Sequence, residues 1–180
     1  MDDRDDEERT LIGSDHVDEL RRQWSVVRPD IDTSPMGVVG RINRLALLFG
    51  DPISKLMAQH GLERGEFDVL AALRRAGEPN ELSPTQLYRS LMLSSGGLTN
   101  RLKRLTAKGM IERRSDPRDG RSDLVCLVAT GREIVDRAFS ADMDLEAAMI
   151  AGVGDDRLAE LEKILRELCR TIETPQNQEP

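Results

Sequence analysis

A single change of period confines this chain more than any other feature. From about His16 to Gly109 the apolar residues recur at helical spacing, punctuated by Gly and Pro. They then shorten into two β-prone runs, Met110-Ile111-Glu112-Arg113-Arg114 and Asp123-Leu124-Val125-Cys126-Leu127-Val128, after which helical spacing resumes to about residue 173. The spacer between the runs, Ser115-Asp116-Pro117-Arg118-Asp119-Gly120-Arg121-Ser122, holds the Pro, Gly and Asp that a hairpin tip needs. One hairpin inside an otherwise helical chain leaves few architectures. Composition agrees: aromatic residues are 3% and charged residues 33%, which suits helices with long solvated faces better than a many-stranded sheet.

The elements before the hairpin narrow the choice. A short helix spans about His16 to Val27, with Val17, Leu20, Trp24 and Val27 on one face, and Arg28-Pro29-Asp30 interrupts it. Ser34 as N-cap and Pro35 in the first turn open a second helix. Its apolar arc (Val38, Val39, Ile42, Leu45, Leu48, Phe49, Ile53, Leu56, Met57) is broad enough for a subunit interface, and Asp51-Pro52 is expected to kink or divide it. After Gly61 a third helix turns Phe67, Leu70, Ala71 and Leu73 inward and ends at Gly77. The turn Glu78-Pro79-Asn80 leads to Ser83-Pro84, which starts a helix to Leu91; Ser94-Ser95-Gly96-Gly97 opens the next, with Leu98, Leu102 and Leu105 as its apolar stripe. Two closing helices follow, the last with Leu158, Leu161, Ile164, Leu165, Leu168 and Ile172 at coiled-coil-like spacing.

The expected fold is therefore mainly α: a winged helix-turn-helix with N- and C-terminal dimerisation helices and a two-stranded wing. Its expected divisions are an acidic disordered tail at 1–14, N-terminal dimerisation helices at 15–60, the winged region at 61–129, C-terminal dimerisation helices at 130–173, and a frayed tail at 174–180.

Charge distribution points to a polyanionic partner. The net charge of −7 is fully accounted for by residues 1–20, where nine acids face only Arg4 and Arg9. Residues 101–121 hold eight bases against Glu112, Asp116 and Asp119, a local excess of +5. Such a patch on a neutral body serves as a footprint for phosphates, although a cluster of this kind also arises as an ordinary solvated face. In this order of elements the second helix should lie in a major groove of duplex DNA. Ser94 and Ser95 would bond phosphate, Gly97 would allow close approach, and Thr99, Asn100, Arg101 and Arg104 would face the duplex, with the Arg101 fork suited to guanine O6 and N7. At the wing tip Arg118 and Arg121 would enter a minor groove, with Asp119 bracing Arg121.

These residues carry a resemblance. Residues 62–131, with GEFDVLAALRRAG, LSPTQLYRSL, SSGGLTNRLKRLTAKGMIERR and DPRDGRS, resemble the core of the MarR family. The resemblance implies a homodimeric repressor of transcription, released from a near-palindromic duplex site when a small aromatic or anionic effector binds. It places the recognition-helix contacts on Ser95, Thr99, Asn100 and Arg101 and the wing arginine on Arg121. The family usually has Leu-Thr before the final long helix; here Leu127-Val128 stands there, so Thr130 would have to supply the cap. The stretch QWSVVRPDIDTSPMGVVGRINRLA resembles the urate-responsive subgroup with an added N-terminal helix, and this second resemblance implies an effector site at Trp24, Asp68 and Arg101 for urate or another planar anion.

Other classes fare worse. No Gly-rich phosphate loop, H-E-x-x-H or G-x-S-x-G is present, so an enzyme is not expected and no cofactor or metal is implied. A winged helix used for protein contact is the stronger rival. Thiol sensing is a further alternative; Cys126 reads as a buried strand residue and Cys169 as packed in the last helix. No stretch approaches the length of a membrane span, and the acidic opening is unlike a secretory signal, so a cytoplasmic protein is expected.

Overall fold

A computed structural model describes residues 13–91, 97–116 and 119–174, with the side chains of residues 119–122 left outside the description. The element order is α1 (His16–Val27), α2 (Met36–Gln59), α3 (Arg64–Arg75), β1 (Glu81–Leu82), α4 (Pro84–Ser90), α5 (Leu98–Ala107), β2 (Ile111–Asp116), β3 (Asp119–Leu127), α6 (Ala129–Ile150) and α7 (Asp155–Glu173). The chain forms two compact units, one to Lys55 and one from Leu56. Among the described residues no helix is long and apolar enough to cross a membrane.

In the first unit, α1 begins on a reciprocal cap. Asp15 accepts the N–H groups of Val17 and Asp18 at 2.9 and 3.0 Å, and Asp18 accepts that of Asp15 at 3.2 Å. Val17, the buried residue of α1, packs where α2 lacks a side chain: a Cβ at Gly40 would stand 3.1 Å from its Cγ1. Arg41 of α2 ties the helices together through Asp15 and Asp18, each at 2.7 Å. The second helix starts at Met36, one residue later than its Ser34-Pro35 signal suggests. Ser34 is engaged in the preceding turn instead, donating its N–H and hydroxyl to Asp32 at 2.8 and 2.6 Å. Pro52 sits inside α2 without dividing it. The carbonyl that its missing N–H would have satisfied belongs to Leu48, which is exposed and can be solvated.

The second unit is built on α3, which packs against α4, α5, α6 and β3. Val69, Leu70 and Leu73 are fully enclosed, with Leu87 of α4, Leu105 of α5 and Val125 of β3. Ser83 caps α4 by accepting the Gln86 N–H, and Pro84 occupies the first turn, as the sequence signal requires. The sheet has three antiparallel strands in the order β1-β3-β2, one more than expected. The extra strand is two residues long, Glu81 pairing with Cys126 and Leu82 with Val125, too short to show any periodicity in sequence.

The wing hairpin is also tighter than expected. Its ladder runs from Ile111↔Leu127 to Asp116↔Asp119, with a register shift at Ser115/Asp116. Gly131 allows α6 to start directly behind the wing, since a Cβ there would lie 2.1 Å from the Met110 carbonyl oxygen. That helix begins at Ala129 with Val128 at the N-cap and no side-chain cap, so Thr130 lies inside the first turn and does not cap it. Cys126 is buried as expected, but Cys169 is exposed on α7 rather than packed.

Candidate nucleic-acid interface

The recognition candidate α5 follows a left-handed Gly97 (φ 75°), a conformation that glycine adopts without steric penalty. From there the helix divides its side chains among three faces. Leu102 and Leu105 are buried, and Leu98 is half-buried beside them. Thr99, Asn100 and Lys103 are exposed on a second face. Gly97, Leu98, Thr99 and Asn100 line an open groove of about 480 Å³ whose opposite wall is Pro84, Thr85 and Tyr88 of α4. Tyr88, the only tyrosine, is 58% exposed there.

The third face meets α3. Glu66 is 0% exposed, yet both its oxygens are satisfied: Oε1 by Arg104 Nε at 2.8 Å, Oε2 by Lys108 Nζ at 2.7 Å and by the Glu63 N–H at 2.9 Å. Burial opposes ionisation of this carboxyl, but Lys108, the Glu63 N–H and Arg104 together outweigh it and hold its pKa below the ordinary value. The stabilisation is therefore present above the ordinary carboxylate range and fades as pH falls through the lowered value. Arg104 also reaches Glu63 at 2.6 Å.

Arg104, expected among the DNA contacts, has its guanidinium on Glu66 and Glu63 in the free chain. Arg101 is half-buried with its guanidinium over Gly65, one helical turn before Asp68 on α3. Of the remaining expected contacts, Ser94, Ser95 and Arg118 lie outside the described residues, as do the side chains of Asp119 and Arg121. The backbone of Arg121 lies within β3, two residues past its start, rather than in a loop.

The expected effector residues fall in different units. Trp24, 49% exposed, lines a hollow of about 250 Å³ in the first unit with Arg28, Ile31, Asp32, Thr33, Pro35 and Met36. Asp68 is buried on α3 and Arg101 sits on α5, both in the second. The sequence reading missed Glu66 and Lys108 altogether. A signal existed: Arg101, Arg104 and Lys108 recur at i, i+3 and i+7, a helix face of their own, facing a Glu-x-x-Glu helix start.

Residues 60–122 match the MarR family. The transcriptional regulator PecS of Dickeya dadantii is 32% identical over 149 residues, 83% of this chain and 90% of that one. The multiple antibiotic resistance protein MarR of Salmonella typhimurium is 34% identical over 104 residues, 57% of this chain and 70% of that one. Among solved structures, a cysteine-to-serine mutant of Escherichia coli MarR complexed with operator DNA superposes with a TM-score of 0.65 at 25% identity, covering 81% of this chain and 96% of that one. Sco3205 of Streptomyces coelicolor, in complex with DNA, shares the fold with a TM-score of 0.69 at 19% identity over 81% and 92%. With a regulator matched across nearly its whole length and the family's own core aligned on the winged region, the chain belongs to the MarR family of winged-helix transcriptional regulators.

Proposed function

We propose that the protein is a homodimeric repressor that binds near-palindromic duplex DNA and leaves it when a small planar or anionic effector binds. The observation that carries this reading is the exposed polar face of α5. Thr99, Asn100 and Lys103 stand outward beside the α4–α5 groove while the opposite faces of the helix are buried or docked on α3. A helix so anchored, with small and polar residues outward, suits base-edge contact in a major groove. Arg121, Arg118 and Asp119 are proposed for the wing, and Ser94 and Ser95 for phosphate at the start of α5.

Dimerisation is supported by apolar surface left uncovered in the single chain. Val38, Val39, Leu45, Leu47 and Leu48 of α2, and Leu161, Ile164 and Ile172 of α7, are all exposed. A two-fold dimer would set half-sites about 10 bp apart. Trp24, Asp68 and Arg101 remain the proposed effector residues, with urate as first candidate: an anion competing for Arg101 would favour a DNA-incompetent arrangement. A cytoplasmic location follows from this role.

Gel-shift titration against the DNA flanking the protein's own gene tests the reading. Log K should fall with log[salt] by ~0.9 per phosphate contacted. Binding without salt dependence, or only to another protein, would point to a protein-interaction module. Calorimetry with urate tests the effector: no heat and no loss of operator affinity removes that part. Thiol sensing has less support, because burial pushes the Cys126 thiol pKa up and keeps it protonated. Operator binding unchanged after peroxide treatment would remove it, Cys169 included.

A further inference from the structure

The cations of α5 stand on two faces, and one of these is turned inward. Arg101, Arg104 and Lys108 form a single stripe, and all three meet the opening of α3. Arg104 and Lys108 share the buried Glu66, and Lys108 also donates to the Gly61 carbonyl at 2.9 Å. The Arg101 guanidinium occupies the space left by the missing side chain of Gly65: a Cβ there would stand 2.4 Å from Nε and 2.6 Å from Cζ. Gly65 lies inside a regular helix, where alanine would form the helix better. Local structure does not call for a glycine here, whereas the arginine does.

The leucine stripe alone leaves α5 free to roll, because apolar contact has no preferred direction. Hydrogen bonds do have one, and two cations a helical turn apart on one fixed acceptor resist rotation of the helix about its axis. A small roll would carry Thr99 and Asn100 away from any base edge they read. We propose that the first turn of α3 is a positioning device for α5: Glu66 fixes its rotation through Arg104 and Lys108, Gly65 seats Arg101, and both set DNA affinity without touching DNA. This rests on the reading of α5 as the DNA-facing helix. Since Arg104 and Lys108 are neutralised within the chain, they release no counterions from the duplex, unlike the outward Lys103.

The test uses the full chain and the duplex flanking its own gene, with affinity measured from about 50 to about 200 mM salt. Arg104→Ala and Glu66→Gln should each lower affinity by about tenfold at every salt concentration and leave the slope of log K against log[salt] at its wild-type value. Lys103→Ala should reduce that slope by ~0.9. A slope reduced by the same amount in Arg104→Ala overturns the proposal. So does tighter, steeper binding by Glu66→Gln, which would mean that the released cations reach phosphate.

Gly65→Ala separates positioning from folding. The arginine tip can swing aside, so Tm should stay at or above wild type. Affinity should nonetheless drop as far as in Arg101→Ala, and the double variant Gly65→Ala/Arg101→Ala should lose no more than Arg101→Ala alone. Additive losses, or wild-type affinity in Gly65→Ala, overturn it. A wild-type protein that binds no duplex defeats the interface reading and this inference with it. A wild-type protein that binds, with the Arg104, Glu66 and Gly65 variants binding equally well, defeats this inference alone.

Discussion

Helices α3 and α7 have similar amphipathic sequences and opposite fates. In α3, Glu66 and Asp68 through Leu73 are all buried; in α7, not one residue is. The apolar stripe of α7 lies open in the single chain, with Leu161 at 42% and Ile164 at 55% exposure. Periodicity thus announces that a helix has a face to cover and says nothing about whether the same chain covers it. The winged-helix core closes on itself. The terminal helices carry apolar surface of the kind that soluble monomers rarely leave open.

The largest expected effect lies on the open side of this contrast. Leu161→Asp combined with Leu165→Asp puts two charges into the stripe that the proposed dimer buries. Sedimentation should show a monomer, while the circular dichroism of the helices remains close to wild type. Losing one of two linked half-site contacts should weaken specific DNA binding by about 100-fold or more. A double variant that still sediments as a dimer would mean that α7 is covered by something else. On the closed side, Leu105→Ala removes a fully enclosed side chain and should cost ~2–5 kcal/mol in denaturant unfolding with oligomeric state unchanged.

The contrast also explains what could be read in advance. Helix positions, the Ser83-Pro84 start and the wing were legible because caps, breakers and the change of period act locally. The partners of the charged side chains were not. Lys103 and Arg104 are neighbours of like charge, yet one is exposed and the other is bound to Glu66, 38 residues earlier in the chain. Only the way α3 and α5 pack decides between them. The strand Glu81–Leu82 was missed for a different reason, since its existence depends wholly on β3 passing alongside.

Asp142 marks an imperfection within the well-packed unit. It is buried on α6, its Oδ1 has no hydrogen-bond partner among the described residues, and burial raises its pKa despite the opposing charge of Arg64. A raised carboxyl pKa means that the charged form is disfavoured in the folded state, so the cost appears as pH rises and disappears below the ordinary value. Asp142→Asn should therefore stabilise the protein by about 1 kcal/mol at neutral pH and have little effect near pH ~3. Equal effects at both pH values in thermal unfolding would show that the Asp142 carboxyl titrates alike in the folded and unfolded chain, with no cost from its burial.

The smallest expected effect concerns α1, which is held in a third way. Burial contributes little there, as Val17 is its buried residue, and the attachment to α2 relies on Arg41 with Asp15 and Asp18. The Arg41 hydrogen bond is the main reason that the Asp15 carboxyl is held down to about 2 from an ordinary 3.8. Because the folded value is the lower one, the contribution of this pair is complete above the ordinary value and is lost as pH falls toward about 2. Trp24, the only tryptophan, lies in the last turn of α1 and reports on its docking by fluorescence. An acid titration should therefore move the Trp24 signal before the far-ultraviolet signal of the core. In Arg41→Ala, where the carboxyl loses its main anchor, the fluorescence change should move up toward the ordinary carboxylate range. Coincident fluorescence and far-ultraviolet transitions in both proteins would place α1 with α3, held by the same cooperative core, and not with the parts of the chain attached by charge alone.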